Sequence, residues 1–289
     1  MITYKCKNCG GQMDFGGAGG FVCPFCGSKA FMSDADFKGN EAFRKKLLQY
    51  YKAEALKKEN DYSVDRFWSC EGRDGYSLEN GETLTVDYMI KTECDGYVCY
   101  LAQRSVVYIF EKSAEAGAFL AGLGKLSFPA ADAKLHRSVP ELTLKLELKE
   151  GKQALVFRRR PNFYPAEYFA PWTSSQLAWV ISRMENVCCL LKFSELEHGG
   201  IEPSSVWVNP LSHEGALFGD WRGVRPLRGR GDLLSLRKTA IALAENTREP
   251  AELYRFLNSE PASDAFLDFE KWDTVIDKGF GGHKFEKNY

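Results

Sequence analysis

The sequence lacks any run of about 18 apolar residues, the length needed for a helix that crosses a membrane. Its first six residues lack the apolar core of a secretion signal. Lys and Arg number 38 against 39 Asp and Glu, so the net charge of −1 gives no general reason to expect nucleic acid or a membrane as partner. We therefore expect a cytoplasmic protein without a membrane partner.

Several familiar catalytic patterns are also missing. The four histidines are scattered without a His-x-x-x-His pair, and neither a Ser-His-Asp order nor a phosphate-binding Walker loop occurs. What is present is a chain of 289 residues, 44% hydrophobic, with nine cysteines. A chain of this size and composition can bury one large core or two lobes.

Four of the cysteines form two Cys-x-x-Cys pairs, Cys6 with Cys9 and Cys23 with Cys26. Each pair is followed by a glycine, which tolerates the positive φ of a tight knuckle around sulfur. Four thiolates at this spacing can surround one tetrahedral zinc ion and leave no open position for catalysis. The pattern resembles a zinc ribbon at residues 1–32 and predicts one structural zinc per chain. The alternative, a redox Cys-x-x-Cys, expects a single pair beside a strand and a helix.

The remaining five cysteines show no framework spacing; they are Cys70, Cys94, Cys99, Cys188 and Cys189. In a reducing compartment, cysteines without such spacing are more often packed thiols than disulfides. We therefore expect these side chains to be packed and unpaired.

The composition changes to Ala, Lys, Glu and Leu over residues 33–60. Apolar residues recur there at helical spacing while most lysines fall elsewhere, which predicts an amphipathic connecting helix that Asn40 could cap. We interpret the lysine-rich face as solvated, although an acidic partner or nucleic acid would also fit it. This segment is the expected domain boundary.

The next part of the chain alternates apolar and polar residues in short runs, as half-buried strands do. The predicted strands are residues 83–90, 96–102, 105–110, 142–148 and 153–158. One helix, residues 114–126, is predicted after the third strand, and residues 174–193 have the apolar spacing of a long buried helix.

The residues from 198 to 208 read His-Gly-Gly-Ile-Glu-Pro-Ser-Ser-Val-Trp-Val, and residues 217–221 read Leu-Phe-Gly-Asp-Trp. The first stretch resembles the catalytic loop of a protein kinase, His-Arg-Asp-Leu-Lys-Pro-x-Asn, and the second resembles the metal-binding Asp-Phe-Gly that follows it. His198, Pro203 and Asp220 keep the places that they have in the family. The resemblance implies a two-lobed, kinase-like fold.

The residues that perform chemistry in kinases are replaced in this loop. Gly200 stands where the catalytic Asp belongs, and Ser205 stands where the metal-binding Asn belongs. Glu202 replaces the Lys that would face the transferred phosphate, and its negative charge would repel that group. Glycine carries no titratable group, so no side chain at this position can accept the substrate proton. General-base assistance, worth roughly 100- to 10,000-fold in rate, is therefore missing. The resemblance therefore argues against kinase chemistry.

The expected small lobe departs from the family pattern in the same way. The turn that aligns with the nucleotide-covering loop keeps only Gly96 as a glycine. Tyr108 falls where the third-strand Lys would stand, and Gly122 replaces the glutamate that would pair with it. Residues 158–162 are interpreted as the hinge. Its three arginines, residues 158–160, could hold a phosphorylated or acidic peptide, but we interpret them as ordinary exposed charge.

Four arginines follow Asp220 in the place of an activation loop, and they are Arg222, Arg225, Arg228 and Arg230. Their segment contains no Ser, Thr or Tyr, which excludes its switching by phosphorylation. The arginines could bind an acidic partner or phosphates. Asp232 begins a stretch that resembles the large-lobe helix whose first Asp braces the catalytic loop.

The last part of the chain is predicted to be helical and to complete the large lobe. Four carboxylates there are close enough in sequence for a site, and they are Asp264, Asp268, Glu270 and Asp273. Because their spacing suits an exposed helix face, we interpret them as solvated.

The sequence therefore predicts an α+β protein with four parts: a zinc ribbon (1–32), a helical linker (33–60), a kinase-like small lobe (61–160) and a kinase-like large lobe (161–289). We expect a pseudokinase that acts as a protein-binding or regulatory scaffold, with zinc as its cofactor and weak or absent nucleotide binding. Two alternatives stay open: a phosphotransferase that uses Asp220 in an altered site, and a nucleic-acid or ribonucleoprotein contact through the ribbon.

Overall fold

The computed structural model describes residues 5–17, 20–31, 64–130, 133–246 and 248–282. The chain divides into two compact units, residues 1–61 and residues 62–289, and each is described by itself. The predicted connecting helix at residues 33–60 lies outside the described residues. Among the residues that the structure describes, no helix is long and apolar enough to cross a membrane.

The first unit contains a small antiparallel sheet in the order β1-β2-β3, with β1 at Asp14–Gly17, β2 at Gly20–Val22 and β3 at Lys29–Phe31. Strands β1 and β2 pair antiparallel between the two cysteine pairs. Each cysteine pair forms a knuckle, in which the N–H of Gly10 donates to the Cys6 carbonyl and that of Gly27 to the Cys23 carbonyl. Both glycines have positive φ, 74° and 69°, which explains why glycine follows each pair.

The second unit begins with an antiparallel six-stranded sheet in the order β4-β5-β6-β7-β9-β8. The strands are β4 Gly72–Ser77, β5 Thr83–Cys94, β6 Tyr97–Ala102, β7 Ser105–Phe110, β8 Leu142–Glu147 and β9 Gln153–Arg158. The predicted bounds of β7 and β9 are correct. Strand β4 was missed because its sequence, Gly-Arg-Asp-Gly-Tyr-Ser, has almost no apolar alternation. Strand β5 extends beyond the predicted Ile90 because its second half continues to pair with β6.

One helix, α1 at Ser113–Leu123, follows β7 and buries Ala116, Phe119 and Gly122. It ends earlier than predicted because Gly124 caps it through a backbone N–H to the Leu120 carbonyl. The ring of Phe119 contacts Tyr108 of β7 and Phe157 of β9, with centroids 5.0 Å and 5.5 Å away. The helix is therefore held against the same face of the sheet that faces the helical part of the unit.

The rest of the second unit is mainly helical, with α2 Ser174–Phe193, α3 Gly231–Leu243, α4 Ala251–Asn258 and α5 Ala265–Phe280. The predicted bounds of α2 are correct, and a capping box between Thr173 and Gln176 starts this helix. Short strands complete the lobe: β12 Val206–Asn209 lies between β10 Tyr164–Pro165 and β13 Glu214–Leu217, and β11 Leu196–Glu197 pairs with β14 Arg225–Pro226.

A continuous hydrophobic core joins the sheet and the helices of the second unit, and Trp172, Trp221 and Trp272 are fully buried in it. Burial of one large apolar side chain contributes about 1.5–3 kcal/mol, so these rings are strong determinants of the fold. The interpretation of the four tail carboxylates as a solvated face is wrong for Asp268. Its side chain is buried, and both oxygens accept hydrogen bonds from Arg237, at 2.7 Å and 2.9 Å.

The cysteines outside the ribbon are free, and they differ in exposure. Cys188 is buried on α2, whereas Cys70 is exposed just before β4. The expectation of a packed thiol is therefore wrong for Cys70, because the segment before the first strand of the sheet leaves that position open to solvent.

Candidate functional site

The sheet and the helical lobe of the second unit enclose a cleft with a cavity of about 330 Å³. Strands β5, β6 and β7 form one wall, and the loop at residues 198–205 together with Asp220 forms the opposite wall. The lining is largely apolar and aromatic, with Leu101, Tyr108 and Trp207 among its residues. The structure therefore brings the kinase-like loop, Asp220 and Tyr108 together at one site.

The backbone of the kinase-like loop is held from below by the first turn of α3. Asp232 accepts hydrogen bonds from the N–H groups of His198 and Gly199, both at 2.8 Å. Gly199 has a φ of 78°, which favours glycine at this bend. Asp232 therefore fixes the path of the chain where it enters the loop.

Ser205 braces the loop from within. Its hydroxyl lies 2.7 Å from the carbonyl oxygen of Gly200 and accepts a hydrogen bond from the Glu202 N–H at 2.9 Å. Ser205 is 2% exposed, so its hydroxyl is directed to the loop backbone and away from solvent. Pro203 lies in the turn between these contacts and is partly exposed. Ser205 thus stabilises the turn at a position where an active kinase would place a metal ligand.

His198, the first residue of the loop, has a buried side chain. Its Nδ1 accepts a hydrogen bond from the Gly200 N–H at 3.1 Å, and its ring contacts Trp221 edge-on at 4.6 Å between centroids. Its Nε2 has no hydrogen-bond partner among the described residues. Burial lowers the pKa of His198 to about 4, although the charge of Asp220 acts in the opposite direction. The imidazole is therefore neutral at physiological pH and serves as part of the packing.

Asp220 is occupied by the side chain of Arg222. The Nε of Arg222 lies 3.0 Å from each carboxylate oxygen, and its Nη2 lies 2.8 Å from Oδ2. The backbone N–H of Arg222 also donates to Oδ1, at 2.9 Å. Such a charge-assisted pair satisfies both oxygens and neutralises the carboxylate. A divalent cation at Asp220 would have to displace this guanidinium.

Arg222 also connects Asp220 to two elements of the sheet-rich lobe. Its Nη1 lies 2.9 Å from the Glu115 carboxylate on α1, and its Nη2 donates to the Asp95 carbonyl in the β5–β6 turn at 2.7 Å. The guanidinium lies over the ring of Tyr97, 5.0 Å from its centroid. The side chain is 20% exposed, so the contacts are partly shielded from water. Arg222 therefore holds the turn, α1 and Asp220 together.

The sequence pattern does not separate Arg222 from the other three arginines of its segment, which are predicted together as partner-binding candidates. The signal was present, because the Asp220-Trp221-Arg222 triplet aligns with Asp-Phe-Gly and places an arginine at the glycine position. A glycine there leaves space beside the carboxylate, whereas a long cationic side chain can fold back onto it.

The other three arginines of this segment have different environments. Arg225 pairs with the buried Glu197 at 2.7 Å, and Arg230 donates to the Pro261 carbonyl at 2.7 Å. Arg228 is exposed. The four arginines predicted as one partner-binding set are thus divided, because Arg225 and Arg230 are held by contacts within the large lobe and Arg222 is held by Asp220 and Glu115.

Tyr108 occupies an aromatic cluster at the place expected for the third-strand Lys. It is 2% exposed, and its ring centroid lies 5.5 Å from that of Tyr97 and 5.0 Å from that of Phe119. The α1 residue in ring contact with Tyr108 is Phe119. Gly122 instead faces the Trp221 carbonyl, where an added Cβ would overlap the oxygen.

The open side of the cavity carries two further carboxylates, Glu167 and Glu202. Burial raises the pKa of Glu167, and the negative charge of Glu202 acts in the same direction. No Lys, Arg or His is among the lining residues that the structure describes. Phosphate groups would therefore meet negative rather than positive charge at this face.

The hinge residues after β9 are more buried than expected. The side chain of Arg159 is fully buried, donates to the Asp65 carboxylate at 2.7 Å and lies over the Tyr164 ring at 4.3 Å. Asn162 accepts from the Arg66 N–H and donates to the Val64 carbonyl. The interpretation of residues 158–160 as exposed charge is therefore wrong for Arg159, because residues 64–68 cover the hinge.

The sulfur atoms of Cys6, Cys9, Cys23 and Cys26 all lie within 4.8 Å of one another. Cys6 and Cys26 are 3.6 Å apart and Cys9 and Cys23 are 3.4 Å apart, measured between Sγ atoms. A tetrahedral zinc with bonds of about 2.3 Å places its thiolates roughly 3.8 Å apart. The cluster therefore fits a zinc ion held by four protein ligands. The Ser28 hydroxyl is in hydrogen-bond contact with the Cys26 sulfur, at 3.1 Å.

Residues 1–30 match the family model of a zinc ribbon domain. The chain is similar in structure to the BubR1 kinase domain, with 10% identity, a TM-score of 0.51, and coverage of 83% of this chain and 94% of that one. Vaccinia related kinase 3 gives 12% identity and a TM-score of 0.47, covering 78% of this chain and 85% of that one. For the bifunctional kinase-methyltransferase WbdD the identity is 12%, the TM-score 0.46, and the coverage 78% and 56%. Comparison with curated proteins found no match.

These findings define the fold class. The second unit has an α+β, kinase-like fold with a sheet-rich lobe and a helical lobe, and the chain begins with a zinc ribbon. At 10% identity the likeness to the BubR1 kinase domain concerns the fold alone and carries no function over to this chain.

Proposed function

We propose that this protein is a catalytically inactive, kinase-like binding protein that carries a structural zinc ribbon. The observation that carries the proposal is the pairing of Arg222 with both oxygens of Asp220. Magnesium in phosphoryl transfer is held by one or two carboxylates together with the substrate phosphates. Here the carboxylate at the family's metal position already has a cationic partner, so a divalent cation gains little by binding to it.

Three other positions support the absence of phosphoryl transfer. Gly200 has no side chain that could accept a proton, and Ser205 uses its hydroxyl to hold the loop. Tyr108 is buried in an aromatic cluster and supplies no positive charge. Catalysis of this reaction depends on positioning and on charge neutralisation, and neither is provided.

Nucleotide binding is proposed to be weak or absent. A hydrogen bond to a charged group contributes about 1.5–3 kcal/mol, so the loss of two phosphate contacts would change micromolar into millimolar affinity. The carboxylates of Glu167 and Glu202 add repulsion at the mouth of the cavity. The fold is then used for binding a protein partner, with zinc maintaining the ribbon.

The test is calorimetry and thermal shift of the full chain with ATP, with and without magnesium, beside an assay of phosphate transfer from ATP to mixed protein substrates. We expect no transfer and no saturable binding below millimolar ATP. Micromolar binding without transfer would instead indicate a nucleotide-sensing protein. Sustained turnover abolished by Asp220→Asn would establish the phosphotransferase alternative and end the proposal.

A further inference from the structure

A second cavity of about 550 Å³ lies beside the C-terminal end of α1, away from the residues of the kinase-like loop. We call it the arginine cavity, because its lining includes Arg137, Arg158 and Arg160. The carboxylates in the lining are Glu141 and Glu214. Its volume is within the range of small-molecule sites in proteins, about 300–1,000 Å³.

The positive charges of the arginine cavity are incompletely balanced. Arg158 pairs with Glu141 at 3.4 Å, but Arg137 and Arg160 share one oxygen of Glu214, at 3.5 Å and 3.1 Å. The described lining therefore has three guanidinium groups against two carboxylates, in addition to His136. An arginine fork can hold a planar or tetrahedral anion through two parallel hydrogen bonds.

Arg160 has three side-chain contacts that fix its position as a donor for such an anion. Its side chain is 26% exposed, its Nη2 donates to the Arg137 carbonyl at 2.9 Å, and its guanidinium lies over the Phe163 ring at 4.5 Å. Burial lowers the pKa of Arg160, and the positive charge of Arg137 adds to this effect while Glu214 opposes it. A second anion beside the two arginines would relieve their repulsion.

The remaining walls of the arginine cavity are apolar. Leu126, Phe128, Val139 and Phe218 line it, and the imidazole of His136 stacks on Phe128 with centroids 3.8 Å apart. A fully polar ligand would leave this surface unused, whereas an apolar body would be removed from water against it. The site thus combines a cationic group of arginines with an apolar wall.

We propose that the arginine cavity binds a small amphiphile, an apolar molecule that carries one carboxylate or phosphate. Arg137 and Arg160 hold the anionic group, and the apolar body lies against Phe128 and Val139. This inference does not depend on the function proposed for the kinase-like cleft, because no residue that forms the cavity lines the cleft.

The test uses the full chain and the fluorescent probe 8-anilinonaphthalene-1-sulfonate, an anion on an apolar ring system. We expect saturable binding that Arg137→Gln and Arg160→Gln each weaken about tenfold or more, the loss expected for one charge-assisted hydrogen bond. Arg137 is 70% exposed, so its substitution leaves the fold intact. Arg73→Gln is the matched control, since that side chain is 69% exposed on β4 and lies outside the cavity lining.

Competition then identifies the chemistry of the ligand. Decanoate and decyl phosphate should displace the probe, with the better of the two identifying the preferred anion, and decanol should not. Glu214→Gln should tighten probe binding, because it removes the carboxylate that occupies both arginines. The proposal fails if the probe does not bind, if Arg73→Gln weakens binding as much as Arg137→Gln, or if decanol competes as well as decanoate.

Discussion

The guanidinium of Arg222 contacts both carboxylate oxygens of Asp220, two residues before it, and reaches Glu115, which is 107 residues away in sequence. One side chain thus joins the segment after β13 to helix α1. The arrangement places a positive charge between the Asp220 and Glu115 carboxylates, at a side chain that is 20% exposed.

Removal of this side chain should weaken the fold. In Arg222→Ala, two partly buried carboxylates lose their partner, and we expect the free energy of unfolding to fall by about 1–2 kcal/mol. The side chains of Glu115 and Asp220 are 30% and 38% exposed, so solvent screens both ion pairs and the expected loss of stability is modest. Urea denaturation measures the change. Arg73→Ala is the control: its exposed pair with Asp87 should cost less than about 0.5 kcal/mol, and equal losses in both variants would contradict the role assigned to Arg222.

Gly122 should not tolerate a side chain. Its added Cβ would overlap the Trp221 carbonyl oxygen, so Gly122→Ala forces α1 away from the segment after Asp220. We expect a loss of about 1–3 kcal/mol of stability from overpacking. The control is on the same helix: Gly117 is exposed and an added Cβ meets nothing within 4 Å, so Gly117→Ala should stabilise by up to about 1 kcal/mol. In thermal unfolding, a lower midpoint for Gly122→Ala and a higher one for Gly117→Ala would support the close contact between α1 and Trp221. A higher midpoint for both variants would refute it.

Glu185 should make stability depend on pH. It is fully buried on α2, and neither of its oxygens has a hydrogen-bond partner among the described residues. Burial, and then the charge of Asp268, raise the pKa of Glu185 from 4.5 to about 8. Between these two values the unfolded chain releases a proton that the folded chain keeps, so this group's contribution to stability is present below pH 4.5 and is lost as the pH rises to 8.

Glu185→Gln removes that titration. We expect the variant to be more stable than the wild type at pH 7, on the order of 3 kcal/mol, with the difference shrinking as the pH falls toward 4.5. Urea unfolding at several pH values measures it. Glu260→Gln, at a side chain that is 79% exposed, should leave the pH profile unchanged. If the stability of Glu185→Gln depended on pH in the same way as that of the wild type, the buried carboxyl would not be the titrating group.

The cysteine cluster should bind one zinc per chain. Elemental analysis of purified protein should find this stoichiometry, and Cys9→Ser should abolish it because a tetrahedral site needs all four thiolates. Metal binding contributes on the order of 10 kcal/mol to such small modules, so the ribbon should lose its ordered structure in the variant. Cys70→Ser, at an exposed cysteine outside the cluster, is the control and should retain the metal. Full zinc content in Cys9→Ser would refute the assigned ligand set.

Much of the architecture could be predicted from local sequence. The bounds of β7, β9 and α2 follow from their apolar spacing, since period 2 and period 3.6 are properties of neighbouring residues. The four ribbon cysteines were found by spacing, because each knuckle is a turn of a few residues. Strand β4 was missed because it is held by pairing with β5 and carries little pattern of its own.

What the sequence by itself determined is therefore the local frame: the cysteine knuckles, most strands, the long helix and the loop that resembles a kinase. Only the tertiary structure decided which charges meet. Arg222 reaches Asp220 and Glu115, Asp268 lies buried against Arg237, and Arg159 is covered by the segment around Asp65. Several of these partners are 31 to 107 residues apart. The spacing of residues along the chain reports only on near neighbours, and such long-range pairs form because packing of the core brings distant segments together.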